Sequence, residues 1–194
     1  MRSNRLAVIA LGALSLASCF GGKKVPPTLL TLTSVAPAPA SVNRAAAPGD
    51  AITIDAPVIS KELSTTRVPA LVGPTAVAYI KDLQWVESPD RLFQDLLQET
   101  VIRTTGRVVL DPRQSALDPG VHLTGTLTRF GYDTQSGTVV VRYDGALSTG
   151  GGTRVQTRRF EASVPADGTA ATVGPALNAA ANRVAMDVSR WIGG

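Results

Sequence analysis

Apolar residues recur with a period of two along three late stretches of the chain, the spacing that turns one face of a strand toward a core. In 121–130, Val121, Leu123 and Leu127 share one side, with Thr124, Thr126 and Thr128 on the other. In 138–147, Val139, Val141, Tyr143 and Leu147 align; in 154–164, Phe160, Ala162 and Val164 align behind an arginine-rich start. Gly150-Gly151-Gly152 separates the last two runs as a hairpin turn, so the spacing predicts an antiparallel three-strand meander. Earlier, Ile52 and Ile54 alternate with Thr53 and Asp55, predicting a strand near 51–56, and the β-branched run Leu29–Val35 reads as another. An apolar pattern at Ala76–Ile80 and a short strand at Arg107–Leu110 complete the set, while the prolines and glycines of 36–50 and 61–75 mark irregular connections.

Two stretches carry the helical period instead. Ser88 before Pro89 is a helix start: a serine oxygen can accept from an early amide, proline loses no needed donor at the first helical position, and Asp90 suits the positive end. Phe93, Leu96, Leu97, Thr100 and Val101 follow at three- and four-residue spacing up to Gly106, a left-handed stop. Near the C-terminus Val173, Leu177, Ala181, Val184, Val188 and Trp191 form a stripe that can cover one face of the sheet. The expected fold class is α+β: a single domain with a mostly antiparallel sheet and two amphipathic helices packed on it.

The first eighteen residues do not belong to that domain. Arg2 and Arg5 precede an apolar run, Leu6–Leu16, that ends in small residues, the pattern of a secretory signal. Its eleven residues fall well short of the roughly 20 that cross a bilayer as a helix. Leu16-Ala17-Ser18-Cys19 resembles the bacterial lipobox. That resemblance implies that the Cys19 thiol receives a diacylglycerol, that the chain is cut before it and that the new amine takes a further acyl group such as palmitate, anchoring the chain without a span. Phe20 is not the aspartate associated with inner-membrane retention in enterobacteria, so attachment at the periplasmic face of the outer membrane is expected. The boundaries that follow are 1–18 for the signal, 19–28 for a lipidated tether rich in glycine, lysine and proline, and 29–194 for the domain.

Composition narrows the function classes. The chain has 194 residues, of which 44% are hydrophobic and 5% aromatic, enough for one modest core. Without Arg2 and Arg5 the formal charge falls from +4 to +2, too little to suggest a nucleic-acid partner. Cys19 is the only cysteine, so no disulfide can form within the domain. His122, the only histidine, sits among threonines and reads as a surface or structurally satisfied side chain; no HxxxH, CxxC or paired carboxylate spacing suggests a metal. No Gly-x-Ser-x-Gly element surrounds a serine, and the glycines of 150–152 lead into Thr153-Arg154 rather than the Lys-Ser/Thr of a phosphate loop. Neither an enzyme nor a cofactor is expected. Arg154 and Arg158 share one strand face, with Arg159 opposite, and either contact lipid headgroups or a partner or serve as solvated charges that guard a strand edge. Trp85 and Trp191 are each either core aromatics or interface anchors.

Tyr79-Ile80-Lys81-Asp82-Leu83-Gln84-Trp85-Val86-Glu87-Ser88-Pro89, leading into a helix with Leu92 and Leu96, resembles the ABC-type transport auxiliary lipoprotein family, the PqiC-like lipoproteins. Arg158-Arg159-Phe160-Glu161-Ala162 and the closing Trp191-Ile192 extend the likeness over nearly the whole mature chain, although Leu29-Leu30-Thr31-Leu32 stands where the family more usually has a tyrosine-leucine start. The resemblance implies a non-catalytic, periplasm-facing accessory of an ABC transport system with a permease, an ATPase and a mammalian-cell-entry-type subunit. Such a system moves phospholipid or another hydrophobic molecule between the inner and outer membranes, and a homo-oligomer is one possible form of the accessory. An outer-membrane assembly or secretion lipoprotein is the competing reading and an envelope hydrolase the more distant one.

Overall fold

A computed structural model describes residues 28–38, 43–118 and 120–193. The meander forms as the alternation requires: β6 (Val121–Asp133), β7 (Thr138–Thr149) and β8 (Arg154–Pro165) pair antiparallel in sequence. Positive-φ glycines 150, 151 and 152 turn β7 into β8.

The other edge of β6 departs from expectation. Three short strands lie along it in chain order and all parallel to it: β1 (Ile52–Ile54) beside Val121–Leu123, β2 (Val58–Ile59) beside Thr126–Leu127, and β3 (Arg67–Gly73) meeting Tyr132 and Asp133 through Ala70 and Leu71. β4 (Ala76–Gln84) pairs antiparallel outside β3, and β5 (Val109–Leu110) pairs parallel outside β1. The eight-stranded sheet is therefore mixed, not mostly antiparallel. Alternation tells which side of a strand faces the core; it does not say which edge a strand joins or in which direction.

Pro69 is tolerated inside β3 because it stands at a register irregularity just before β3 meets β6 at Ala70. The same irregularity is a bulge on the β4 side, where Arg67 pairs with Gln84 but Pro69 with Tyr79. Asp82 in this bulge adopts φ 56°, in the left-handed region, and beyond it Leu83 and Trp85 both turn into the core.

Helix α1 (Pro89–Thr105) begins and ends where its signals predict, with Gly106 left-handed at φ 67°. Ser88 has the extended backbone of a cap, but its hydroxyl makes no capping bond; its carbonyl accepts from Arg91 and Leu92 instead. A short 3-10 helix (Pro112–Leu117) follows β5, and helix α2 (Ala170–Gly193) closes the chain, burying Val173, Leu177, Ala181, Val184 and Val188 as its stripe requires. Both helices pack against each other, and α2 covers β7 and β8. On the opposite face of the sheet Asp144 pairs with Arg159 and Arg142 with Glu161 across β7 and β8.

The core is organised around rings. Trp85 stacks on Phe130 with centroids 5.2 Å apart, Phe130 meets Phe93 at 6.2 Å, and Phe93 meets Tyr143 at 5.4 Å. The line continues from Tyr143 to Phe160 at 6.5 Å and from Phe160 to Trp191 at 5.4 Å. Tyr143 can enter it because Gly125 and Gly145 face each other across β6 and β7; a Cβ on Gly125 would stand 2.5 Å from the Tyr143 ring. The Tyr143 hydroxyl donates to the Thr124 carbonyl at 2.9 Å, and burial raises its pKa.

Phe130→Ala would empty the middle of the line and is expected to cost about 3–5 kcal/mol of unfolding free energy, read from urea denaturation. At the entry to α2 the hydroxyls of Thr172 and Thr169, with the Thr169 amide, hold the Asp167 carboxyl down to about 2 from its ordinary 3.8. Because the folded value is the lower one, its stabilisation is complete above about pH 4 and lost as pH falls through about 2. Asp167→Asn is expected to flatten the acid limb of the stability curve in that window, and an NMR titration of Asp167 would read the shift directly.

Candidate functional site

The run Leu29–Val35, expected to be a strand, is an extended strap. Only Leu30 pairs as a strand residue, in a parallel bridge with Trp85: its amide donates to Gln84 and its carbonyl accepts from Val86, at 2.7 and 2.8 Å. Beyond it the strap's polar groups meet side chains on the two helices. The Thr33 amide donates to Asn178 Oδ1 at 2.9 Å and the Val35 amide to Asn182 Oδ1 at 2.8 Å, while Asn182 Nδ2 returns a bond to the Thr33 carbonyl at 2.9 Å. On the α1 side Ser34 meets the Thr100 hydroxyl at 3.2 Å, and the Arg103 guanidinium donates to the Ala36 carbonyl at 2.8 Å.

Two features of α2 make this fit. Gly174 leaves room for Leu30, whose Cδ2 would lie 2.9 Å from a Cβ there. Asn178 and Asn182, one turn apart, present side-chain amides that take the place of a neighbouring strand. Asn182 is 3% exposed, so its amide is satisfied by the strap and by the Asn178 carbonyl rather than by bulk water. Sequence reasoning missed this clamp, although two asparagines at i, i+4 in an alanine-rich apolar helix are a legible signal.

The residues singled out in the sequence fall in three places. Trp85, Phe160 and Trp191 join the line of rings; the Trp85 indole nitrogen has no hydrogen-bond partner among the described residues, so packing alone holds it. Pro89 is buried at the first position of α1. Tyr79 stands outside the line, beneath the Arg67 guanidinium at 3.9 Å from its ring centroid. Arg154 and Arg158 are exposed on β8, with Arg158 over the Phe160 ring at 5.4 Å. Neither has a carboxylate partner among the described residues, whereas Arg129, Arg142 and Arg159 pair with Asp133, Glu161 and Asp144. Leu16, Ala17, Ser18 and Cys19 lie outside the described residues.

His122 Nε2 stands 3.0 Å from Asp55 Oδ2 in a half-exposed pair. Among the described residues no group of three His, Cys, Asp or Glu is placed to hold a metal, and no helix is long and apolar enough to cross a membrane. What the described residues offer is exposed strand surfaces and a strap fastened to both helices.

Residues 30–189 match the family described as ABC-type transport auxiliary lipoprotein component. The chain belongs to this family. The match begins at Leu30, the residue that opens the strap, and ends within α2. Among solved structures, a Xanthomonas campestris protein of the DUF330 family is similar at TM-score 0.62 and 15% identity, with 86% of this chain and 91% of that one covered. A second crystal structure, of an uncharacterized protein, aligns at TM-score 0.62 and 15% identity over 77% of this chain and 96% of that one. At this identity both show a shared fold. No curated protein matches the chain significantly.

Asn182→Ala removes the reciprocal bonds that hold the strap and is expected to cost about 1–3 kcal/mol. Hydrogen exchange would locate the effect: the Thr33 and Val35 amides lose protection while the β6–β7 amides keep theirs.

Proposed function

We propose that this lipoprotein is a non-catalytic accessory of an ABC transport system with a mammalian-cell-entry-type subunit, held by acyl chains on Cys19 at the periplasmic face of the outer membrane. The transported molecule is phospholipid or another hydrophobic compound moving between the membranes, and the permease and ATPase supply the energy. Family membership over residues 30–189 carries this reading. The lipobox-like Leu16-Ala17-Ser18-Cys19 supports the anchor, since it lies eleven residues before the first residue fastened to the domain.

The strap supports the same reading from the side of the fold. A domain tethered by its N-terminus needs the start of its fold tied firmly to its core, and Leu30–Ala36 is tied to both helices. Arg154 and Arg158, exposed and without a carboxylate partner among the described residues, are two cationic groups free to meet an acidic partner surface.

Mild-detergent affinity capture from native membranes, with Cys19→Ser as control, tests the proposal. The expected result is recovery of a permease, its ATPase and a mammalian-cell-entry-type subunit with the native chain, and release of the folded Cys19→Ser chain from the membrane fraction. Recovery of only barrel-assembly or secretion components would move the lipoprotein to that competing role, and an unchanged membrane fraction for Cys19→Ser would remove the anchor.

A further inference from the structure

We infer that the tip of the β3–β4 hairpin, Val72–Val77, is a second membrane contact that dips into the bilayer interface beside the lipid anchor, an inference that rests on the acylation of Cys19 proposed above. The direction of the strap places the tip on the membrane side. Leu30 runs parallel to Trp85 just after β4, so Thr28 and Leu29, which precede it, head back along β4 toward the hairpin turn. The strap moves from Asn178 at Thr33 to Asn182 at Val35, so its tether end also lies toward the N-terminal end of α2.

That end of the domain is the one the hairpin caps. Leu71 of β3 stands level with Asp133, the last residue of β6, and its carbonyl accepts from the Thr134 amide in the β6–β7 turn. A Cβ on Gly168, just before α2, would stand 3.0 Å from the Tyr132 ring, so the start of α2 sits at the same level. The hairpin turns two residues beyond this level, at Gly73 and Ala76.

The tether is long enough. From Cys19 to Leu30 is eleven residues, which span at most about 36 Å, whereas the nine-residue step from Trp85 back to Ala76 spans about 30 Å as straight strand. The bulge in β4 shortens that step further.

Chemistry selects lipid as the occupant. Val68–Ile80 is thirteen residues without a charge, and Val72 and Val77 are 48% and 45% exposed at its turn. Among the described residues no strand pairs with the outer edge of β4 along Ala76–Tyr79, and these four residues carry no charge, unlike the arginine-bearing β8. Of the carboxylates at this end, Asp133 is engaged by Arg129 and Asp167 by the hydroxyls of Thr169 and Thr172, while Glu62 lines a cleft beside Leu71 and Val77. An apolar, uncharged turn within reach of an acylated residue is suited to the boundary between headgroups and acyl chains, where the peptide groups of the β4 edge stay hydrated.

Because acylation consumes the only native thiol, a cysteine introduced at the tip is a unique labelling site. The lipidated Val77→Cys, Val72→Cys and, as an exposed control on β8, Val155→Cys chains are each labelled with an environment-sensitive fluorophore. They are reconstituted on vesicles of phosphatidylethanolamine and phosphatidylglycerol containing nitroxide-labelled phosphatidylcholine. The expected result is a blue-shifted emission and nitroxide quenching at positions 72 and 77, with neither at 155. Tip labels as water-exposed as the control, on protein that floats with the vesicles, would overturn the second contact and leave the anchor standing. Mass spectrometry of the N-terminal peptide reads the anchor separately, and an unacylated Cys19 on protein that fails to float would overturn both.

Discussion

A central strand must satisfy its backbone groups on both edges, and β6, thirteen residues long, does so in two different ways. β7 pairs with one edge along its whole length. The other edge is filled by three short strands from the first half of the domain, each followed by a break: Pro57 after β1, the turn at 60–66 after β2, and the hairpin after β3. Because the chain climbs this edge in the direction of β6, every one of these pairings is parallel, and β4 and β5 can then be added outside. The placement of α1 follows: it must carry the chain from β4, beyond β3, to β5, beyond β1, and it does so across the same sheet face that α2 covers.

With helices on one face, the domain needs a deep apolar layer between sheet and helices, and it builds one from few aromatic residues. Six rings at centroid spacings of 5.2–6.5 Å run from Trp85 at the end of β4 to Trp191 near the end of α2. Helices α1 and α2 and strands β6, β7 and β8 supply one ring apiece, and Trp85 directly follows β4. The glycine pair at 125 and 145 is the geometric condition for this, because any side chain at 125 would displace Tyr143 from the middle of the line.

Much of this was legible in the sequence where local pattern decides. The meander, the Pro89 start and Gly106 stop of α1, and the buried stripe of α2 are all set by periodicity and by residues whose backbone preferences act on the spot. The parallel edge of β6 was not, because the pairing of Ile52 with Val121 or of Ala70 with Tyr132 is a contact between residues more than sixty positions apart that alternation does not encode. The strap failed as a strand for a related reason. Its β-branched, apolar composition suits an extended backbone, but the partner that receives its hydrogen bonds is a pair of asparagine side chains on a helix 145 residues away. Of the residues that carried the family resemblance, Trp85, Phe160 and Trp191 are gathered by the fold into one line of rings and Pro89 opens α1, while Tyr79 stands outside that line beneath Arg67.

Under the anchoring proposed above, the strap is where the domain would bear the load of its tether. A chain held at its N-terminal end is loaded at Leu30, along the axis of an extended segment whose hydrogen bonds lie across that axis. The load is therefore shared in shear between the Trp85 bridge and the Asn178–Asn182 clamp instead of peeling one bond at a time. Both attachments lead inward: Trp85 stacks on Phe130, and Asn182 is buried on the face of α2 that packs toward the rest of the core. A strand added to the sheet edge alone would have tied the tether only to β4, the outermost strand on that side. By running between the two helices instead, Leu30–Ala36 engages α1, α2 and the β4 end together, so the attachment is spread over both helices and the sheet.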